Sequence, residues 1–506
     1  MTVNERSLLL PEGHQAGSEH RQDVFDEHHP EEEVQKTFSG ELWLLLKMSI
    51  PVILAYTLQN SIQTAAVLIV GRLGPAELSA AAFAMMLAMV TGWCVALGGT
   101  TALDTLGSQA YTGSKDPSDL SIHLQRCVFL LYLLLVPVLV LWFFVQPVLL
   151  LLGQEAKLSA DVQSFLRVLI IGAPGYVGFE SVKKYLQCQG VMHASTVVLL
   201  MTSPLNVALN IWLVRFTSLG FLGSPLAVSI TYWLTFLGLI LFCVLSPTHH
   251  QNHVWAGLQP RRVLQLQPCL KFLQLAIPGI LMVGTEWWAF EIVAIAAGRL
   301  GTLPLAAQSV IMTTDQVLNT IPCGIGVAAS NRIGNLIGAR SAKAASRSTH
   351  AVALLSVILG GLVMIIMLAT RNVFGYLFSD DEAVVNLVSR ILPLVASFQI
   401  ADGLAASCGG VLRGQGRQHL GAIFNLVSYY VLALPLGITL AFRYSQGLQG
   451  LWIGQVLALF LVGFSEYATV WLGSDWDKEI LKGIERMKIE DDRRQGGVDQ
   501  LENQED

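Results

Sequence analysis

The stretch KFLQLAIPGILMVGTEWWAFEIVAIAAGRLG, residues 271–301, decides how this chain must fold. Between Lys271 and Arg299 its only charged side chains are two glutamates, and it exceeds the roughly 20 apolar residues needed to cross a bilayer. The whole chain has the same character, because 53% of its 506 residues are hydrophobic and only 13% are charged. We therefore predict an all-α polytopic membrane protein.

Similar apolar runs recur along the chain and predict twelve transmembrane helices. Their approximate cores are 43–70, 77–98, 124–146, 163–182, 195–214, 221–245, 272–297, 304–328, 350–370, 384–405, 421–442 and 448–472.

The opening stretch has a counterpart in the first half of the chain. IPGIL at 277–281 repeats IPVIL at 50–54, and GRLG at 298–301 repeats GRLG at 71–74, with the same offset along the chain in both cases. The sequence thus predicts two six-helix repeats. Because six is even, both repeats enter the membrane in the same direction and are related by an axis along the membrane normal. Transporters built from such repeats hold their substrate between the halves.

The domain organisation follows from these runs and from the polar segments between them. We expect a disordered cytosolic tail over 1–40, a six-helix bundle over 41–245, a cytosolic linker over 246–270, a second bundle over 271–472 and a charged cytosolic tail over 473–506, frayed after 474. The short loops on the side of the N-terminus carry thirteen Lys and Arg against six on the other side, which predicts cytosolic termini. The first forty residues contain no apolar core, so we expect no cleaved signal peptide.

Composition and motifs argue against several classes of function. The net charge of −5 reflects acidic tails, and no basic run indicates nucleic-acid binding. The seven cysteines form no CxxC pair, so we expect neither a metal site nor a disulfide framework. Neither HExxH nor an intramembrane serine-protease motif occurs, so an enzyme is disfavoured and no cofactor is expected. Membrane lipids are the expected surroundings, and nothing implies an obligate protein partner.

Four carboxylates in the apolar runs are the candidate functional residues. They are Glu286 and Glu291 in helix seven, Asp315 in helix eight and Asp402 in helix ten. A charged carboxylate at the bilayer centre costs about 2.5–3.5 kcal/mol on insertion scales, so such residues mark ion or substrate pathways. Glu180 is set aside because it adjoins two lysines at a predicted helix end.

Spacing separates the two glutamates of helix seven. At 1.5 Å per residue, Glu286 lies about 22 Å from Lys271, deep in the hydrocarbon. Glu291 follows five residues later, which turns its side chain by about 140° on a helix. We therefore expect Glu286 to face the cavity and Glu291 to face the outer mouth or a neighbouring helix.

The repeat indicates that ion chemistry is confined to the second half. In the first half, Gln59 occupies the position of Glu286, Tyr176 that of Asp402 and Ala88 that of Asp315. The Trp pair beside Glu286 fits contact with an organic cation, although such residues more often pack between helices or face lipid. We expect the cavity to be lined by Gln59, Asn60, Gln63, Tyr176, Trp287 and Trp288.

Several motifs together resemble those of the multidrug and toxic compound extrusion (MATE) family, in its eukaryotic branch. They are ALDTLGSQAY at 102–111, YLQCQG at 185–190, EWWAFE at 286–291, ASNRIGNLIGA at 329–339 and GGVLRGQGRQHLGAIFNLVSYYVLALPLG at 409–437. The resemblance covers about 40–472. It implies a twelve-helix exchanger with two bundles in a V shape, which expels cationic or amphipathic compounds in return for protons or sodium.

The resemblance also assigns roles to single residues. It identifies Glu286 and Asp402 with the acids of helices seven and ten, and Glu291 with the second acid of the EWWAFE motif. Ala66 stands about where many bacterial members have an aspartate in helix one. Thr313 stands where animal members have a glutamate in helix eight, two residues before Asp315.

Polar residues near the predicted cytosolic end receive a structural interpretation. Asp104 and Asn331 are separated by the offset of the repeat and are expected to brace helices two and eight. Arg332, Arg413 and Arg417 are expected to follow the positive-inside rule.

The sequence therefore favours a proton-coupled antiporter of organic cations. Sodium coupling is the alternative within that class, and a flippase of lipid-linked head groups is another transport alternative. Such a flippase should have a strongly basic cavity, and the intramembrane acids argue against it.

We also predict the membrane in which the protein resides. ERSLLL at 5–10 fits an acidic dileucine sorting motif, which points to a vacuolar or lysosome-like membrane, with the plasma membrane as the rival. Replacing Leu9 and Leu10 by alanine should move the protein to another membrane, because a receptor reads this motif. Fluorescence microscopy checks this, and an unchanged location would rule the motif out.

Overall fold

The computed structural model describes residues 37–246, 254–255, 257–378 and 381–488. All regular elements in these ranges are helices. The dileucine motif at 5–10 lies outside the described residues.

Twelve spanning units follow each other along the chain. The first half contains α1 (Phe38–Val70), α2 (Pro75–Gly113), α3 (Asp119–Phe143), α4 (Ala156–Leu169 and Ala173–Cys188), α5 (Ala194–Arg215) and α6 (Gly220–Leu245). The second half contains α7 (Leu266–Leu300), α8 (Thr302–Leu318 and Thr320–Gly338), α9 (Ala342–Thr370), α10 (Glu382–Gln415), α11 (Gln418–Arg443) and α12 (Gly447–Leu472).

These units confirm the predicted all-α, twelve-helix fold. Within the described ranges, ten helices are long and apolar enough to cross a membrane, and α4, bent by 54° between its two parts, makes eleven. The remaining unit, α8, is divided at Asn319 into parts of 17 and 19 residues. Its position after α7 corresponds to that of α2 after α1, so the repeat identifies it as a span.

Local chemistry sets several helix ends. The hydroxyl of Thr37 accepts a hydrogen bond from the N–H of Gly40 at 3.3 Å and begins α1 before the predicted boundary at residue 41. Gly416 ends α10 with a φ of 76°, a left-handed conformation that favours glycine. Both sites lie at the end of the bundle that carries residue 38 and residue 488, here called the terminal end.

The first helix of each half begins by packing against the other half. Phe272 and Ala276 of α7 belong to the hydrophobic core of the first half. Leu45 of α1 belongs to a cluster with Ile325 and Val411 of the second half. The two halves are therefore held together by continuous apolar packing near the terminal end.

In the middle of the fold, the first helix of each half also crosses a helix of the other half at a glycine. A Cβ at Gly98 of α2 would overlap the Cα of Ile280 in α7. In the equivalent crossing, a Cβ at Gly324 of α8 would lie 3.1 Å from the backbone N of Ile53 in α1. Since Ile53 and Ile280 occupy equivalent positions in IPVIL and IPGIL, the crossings are related by the repeat.

The expectation of a frayed segment after 474 is wrong for its first part. Residues 476–488 form a helix against the terminal end. Arg486 donates from Nη1 to Oε1 of Gln109 at 3.2 Å and to the carbonyl of Gln415 at 3.1 Å. It therefore joins α2 to α10, and tertiary contacts of this kind explain why a polar segment is helical.

The close contact of Gly98 with α7 leads to a prediction about stability. Gly98→Ala should lower the free energy of unfolding by about 1–3 kcal/mol, because the new methyl group meets the backbone of α7. Gly361→Ala in α9 is the matched control, since no atom lies within 4 Å of its added Cβ. Thermal unfolding of the purified protein in detergent checks this, and equal melting temperatures for the two variants would contradict it.

Candidate functional site

Hydrogen bonds between the halves close the terminal end. Gln109 of α2 donates to the carbonyl of Gly414 at 2.9 Å, and Thr112 donates to the carbonyl of Asn335 at 2.7 Å. Ser108 donates to Oδ1 of Asn331 at 3.1 Å. The predicted bracing by Asn331 is thus a contact between α2 and α8 of opposite halves.

Two buried ion-pair systems reinforce this closure. Arg332 binds Glu41 in bidentate fashion, with Nε–Oε1 of 2.8 Å and Nη2–Oε2 of 3.1 Å. Asp104 accepts from Lys184 at 2.9 and 3.1 Å and lies 3.6 Å from Nε of Arg413. The interpretation of Arg332 and Arg413 as simple topology signals is incomplete, since each pairs with an acid of the other half.

A cavity of about 190 Å³ lies between the halves, above this closed end. Its wall includes Thr101 of α2 and, from α8, Gln316, Asn319 and Thr320, and six further helices contribute other polar or charged groups. They are Tyr56 and Asn60 of α1, Lys184 of α4, Glu286 and Trp287 of α7, Asp402 and Arg413 of α10, Asn425 and Tyr429 of α11, and Glu466 of α12.

The structure brings three of the four predicted acids together. Glu286 and Asp402 both line the cavity, and Asp402 accepts a hydrogen bond from Asn319 at 3.3 Å. Asp315 lies behind the wall, 8% exposed and within electrostatic range of Asp402. Glu291 is half-buried further along α7 and does not line this cavity, as its spacing predicts.

Two of the amides expected in the wall lie elsewhere. Gln59 is buried, donating to Glu180 at 2.8 Å and to the hydroxyl of Tyr176 at 3.2 Å. Gln63 is half-buried and donates to Tyr232 at 3.3 Å. Of the three amides, Asn60 lines the cavity, and it also donates to the carbonyl of Gln316 across the halves at 3.3 Å.

Of the three aromatic residues expected in the cavity wall, one lines the cavity and two lie elsewhere. Trp287 lines the cavity, whereas Trp288 is 37% exposed and donates to the carbonyl of Val90 in α2 at 2.9 Å. Tyr176 is buried against Trp93, with ring centroids 4.1 Å apart, so its predicted place in the wall is wrong. A helix face cannot be assigned from the sequence alone when every face is apolar, and this explains these misplacements.

The first half also holds buried acids. Glu180 pairs with Lys183 at 2.7 Å, and both side chains are buried. Glu41 lies in the first turn of α1. Each of these first-half acids, like Asp104, has a basic partner.

The second half differs in this respect. In the cavity wall, Glu286, Asp402 and Glu466 face only two basic side chains. One of these, Lys184, is already paired with Asp104. An unpaired carboxylate in an apolar interior must bind a cation or take up a proton. The wall is therefore suited to exchange cations and protons.

Glu466 is the functional candidate that sequence reasoning missed. It is fully buried, and in the described part of the chain neither of its oxygens has a hydrogen-bond partner. It lies within the predicted span 448–472, so the criterion that selected Glu286 selects it as well.

Comparison with known proteins gives consistent matches. The MatE family model matches residues 51–212 and 278–439, two blocks that begin at equivalent positions of the two repeats. The chain is 37% identical over 453 residues to an uncharacterized transporter of Schizosaccharomyces pombe, covering 88% of this chain and 82% of that protein. It is 34% identical over 434 residues to multidrug and toxin extrusion protein 2 of Mus musculus, covering 86% and 74%. The crystal structure of the eukaryotic MATE transporter AtDTX14 matches with a TM-score of 0.83 and 30% identity, covering 89% of this chain and 100% of that one.

The ion pair at the start of α1 generates a second stability prediction. Glu41→Gln should lower the free energy of unfolding by on the order of 3 kcal/mol, because it removes the carboxylate that neutralises Arg332 in a buried site. Glu382→Gln is the matched control, an exposed acid in the first turn of α10. Thermal unfolding in detergent checks this, and a loss of stability no larger than that of the control would refute the structural role of the pair.

Proposed function

The chain belongs to the MatE family of membrane transporters and is not an enzyme, and from this premise we propose that it exports cationic or amphipathic organic compounds from the cytosol in exchange for protons. The observation that carries the proposal is the excess of carboxylates in the central cavity. Glu286, Asp402 and Glu466 line it, whereas its two basic side chains, Lys184 and Arg413, both lie beside Asp104.

The exchange rests on competition for the same charge. When Glu286 and Asp402 are ionised, the cavity attracts an organic cation, and the ring of Trp287 offers an additional cation–π contact. Protonation of the pair removes the counter-charge, so the cation leaves. By reciprocal linkage, the next cytosolic cation favours release of the proton.

The proposal assigns the terminal end to the cytosol. The excess of Lys and Arg in the loops of that side supports this orientation. Because the described contacts close the terminal end, this conformation corresponds to the state that faces away from the cytosol. The membrane itself is proposed to be vacuolar or lysosome-like, with the plasma membrane as the alternative.

Two alternatives within transport make different demands on the cavity. Sodium coupling would use the same carboxylates, so ion gradients must decide between sodium and protons. A flippase of lipid-linked head groups needs a basic cavity to bind phosphate, and the three acids of the wall disfavour it.

Substitution of the acids tests the proposal. Glu286→Gln should reduce pH-driven exchange to the background of empty liposomes while the protein stays folded, because glutamine mimics the protonated acid permanently. Asp402→Asn should impair exchange strongly. Glu291→Gln and Asp315→Asn should have milder effects, since neither residue lines the cavity.

Uptake of a panel of organic cations into proteoliposomes, with imposed pH or sodium gradients, makes the measurement. Glu382→Gln serves as the control for loss of an exposed acid. Normal proton-driven exchange by Glu286→Gln, or uptake driven by a sodium gradient alone in the native protein, would refute proton coupling through this residue.

A further inference from the structure

Two glycines leave a space that the side chains of Met282 and Glu466 share. A Cβ at Gly409 of α10 would lie 3.2 Å from Oε2 of Glu466, and a Cβ at Gly421 of α11 would lie 3.0 Å from Oε1. The carboxyl group is thus wedged between two helices, fully buried, and at the cavity wall. Within the described residues neither of its oxygens has a hydrogen-bond partner by geometry.

Arg413 is a positively charged residue of the cavity wall, on the same helix as Gly409, which packs against Glu466. Both residues line the cavity, and Arg413 follows Gly409 by four residues on the same face of α10. The other titratable groups around Glu466 are Glu286 of α7, Cys408 of α10 and Tyr429 of α11. Of these groups, Arg413 alone carries a positive charge.

The present partner of Arg413 holds it weakly. Nε of Arg413 lies 3.6 Å from Asp104, beyond hydrogen-bond distance, and has no hydrogen-bond partner in the described part of the chain. Asp104 already accepts two short contacts from Lys184 in its own half. Asp104 therefore stays neutralised if Arg413 leaves, and Arg413 has an alternative carboxylate in Glu466.

We propose that Glu466 is a second proton carrier of the transport cycle, and that Arg413 links its protonation to the opening of the terminal end by exchanging Asp104 for Glu466. This inference rests on the proposed function. With the terminal end closed, Arg413 faces Asp104 across the halves and Glu466 holds a proton. When the halves separate at that end, Arg413 pairs with Glu466, whose carboxyl group releases its proton to water.

The sign of the pH dependence follows from this exchange. Because opening of the terminal end releases one proton from Glu466, a rise in pH favours opening by up to tenfold per pH unit. Glu466→Gln cannot release that proton, and it offers Arg413 no charge. The variant should therefore remain closed at the terminal end.

Labelling of a cysteine at the closed interface measures the opening. Ser108→Cys places a thiol at a fully buried position of α2 that contacts α8, and a maleimide carrying polyethylene glycol reports its exposure as a shift on a gel. The labelling of protein without this substitution is subtracted as background, because the chain has seven natural cysteines. Taking the ratio of rates without and with Glu466→Gln at each pH cancels the intrinsic pH dependence of the thiol.

We expect this ratio to be near one at acidic pH and to rise by up to tenfold per pH unit towards alkaline pH. Glu382→Gln should leave the ratio at one throughout. Asp104→Asn should increase labelling, since Arg413 is then free to turn, and adding Glu466→Gln should cancel that increase.

Two outcomes would overturn the inference, and they are distinguishable. A ratio that stays at one at every pH, in protein whose Ser108→Cys labels readily, would refute the role of Glu466 and leave the proposed function intact. If Ser108→Cys labels at no pH, the terminal end does not open, and both this inference and the proposed alternation fail.

Discussion

A carboxylate buried in an apolar interior needs a positive charge or a proton, and the arrangement of this protein depends on how that need is met. In the first half, lysines supply the positive charge, as in the pairs Glu180–Lys183 and Asp104–Lys184. In the second half, Glu286, Asp402 and Glu466 line one cavity whose two basic side chains, Lys184 and Arg413, both lie beside Asp104. The first half thus pairs its buried acids with basic side chains, whereas the cavity wall of the second half carries more acids than basic side chains.

The same repeat explains how the halves stay together while leaving a cavity between them. The beginnings of α1 and α7 pack in the cores of the opposite halves, and glycines let the backbones cross at Ile53 and Ile280. Polar contacts, including the pair Glu41–Arg332, are added at the terminal end. Apolar packing does not depend on charge, whereas the polar and ionic contacts are of the kind that can be exchanged between two states.

Much of this could be predicted from the sequence, because the bilayer imposes length and composition on each span. The twelve helices follow from those constraints, and Glu286 and Asp402 were selected because each is an isolated acid in an apolar run. The positions of Gln59 and Tyr176 could not be predicted in this way, since an amide or a phenol fits a buried network as readily as a cavity wall. The pairing of Arg332 with Glu41 joins distant parts of the chain, and no local pattern encodes it. The helix at 476–488 likewise depends on Arg486 meeting α2 and α10.

The central claim is that a proton and an organic cation compete for the carboxylates of one cavity. Calorimetric titration of the purified native protein with organic cations, in buffers of different ionisation enthalpy, counts the protons released for each cation bound. We expect net proton release on binding, with an affinity that weakens as the pH falls, by up to tenfold per pH unit for each proton displaced. Binding with no proton release and with the same affinity at acidic and neutral pH would contradict it.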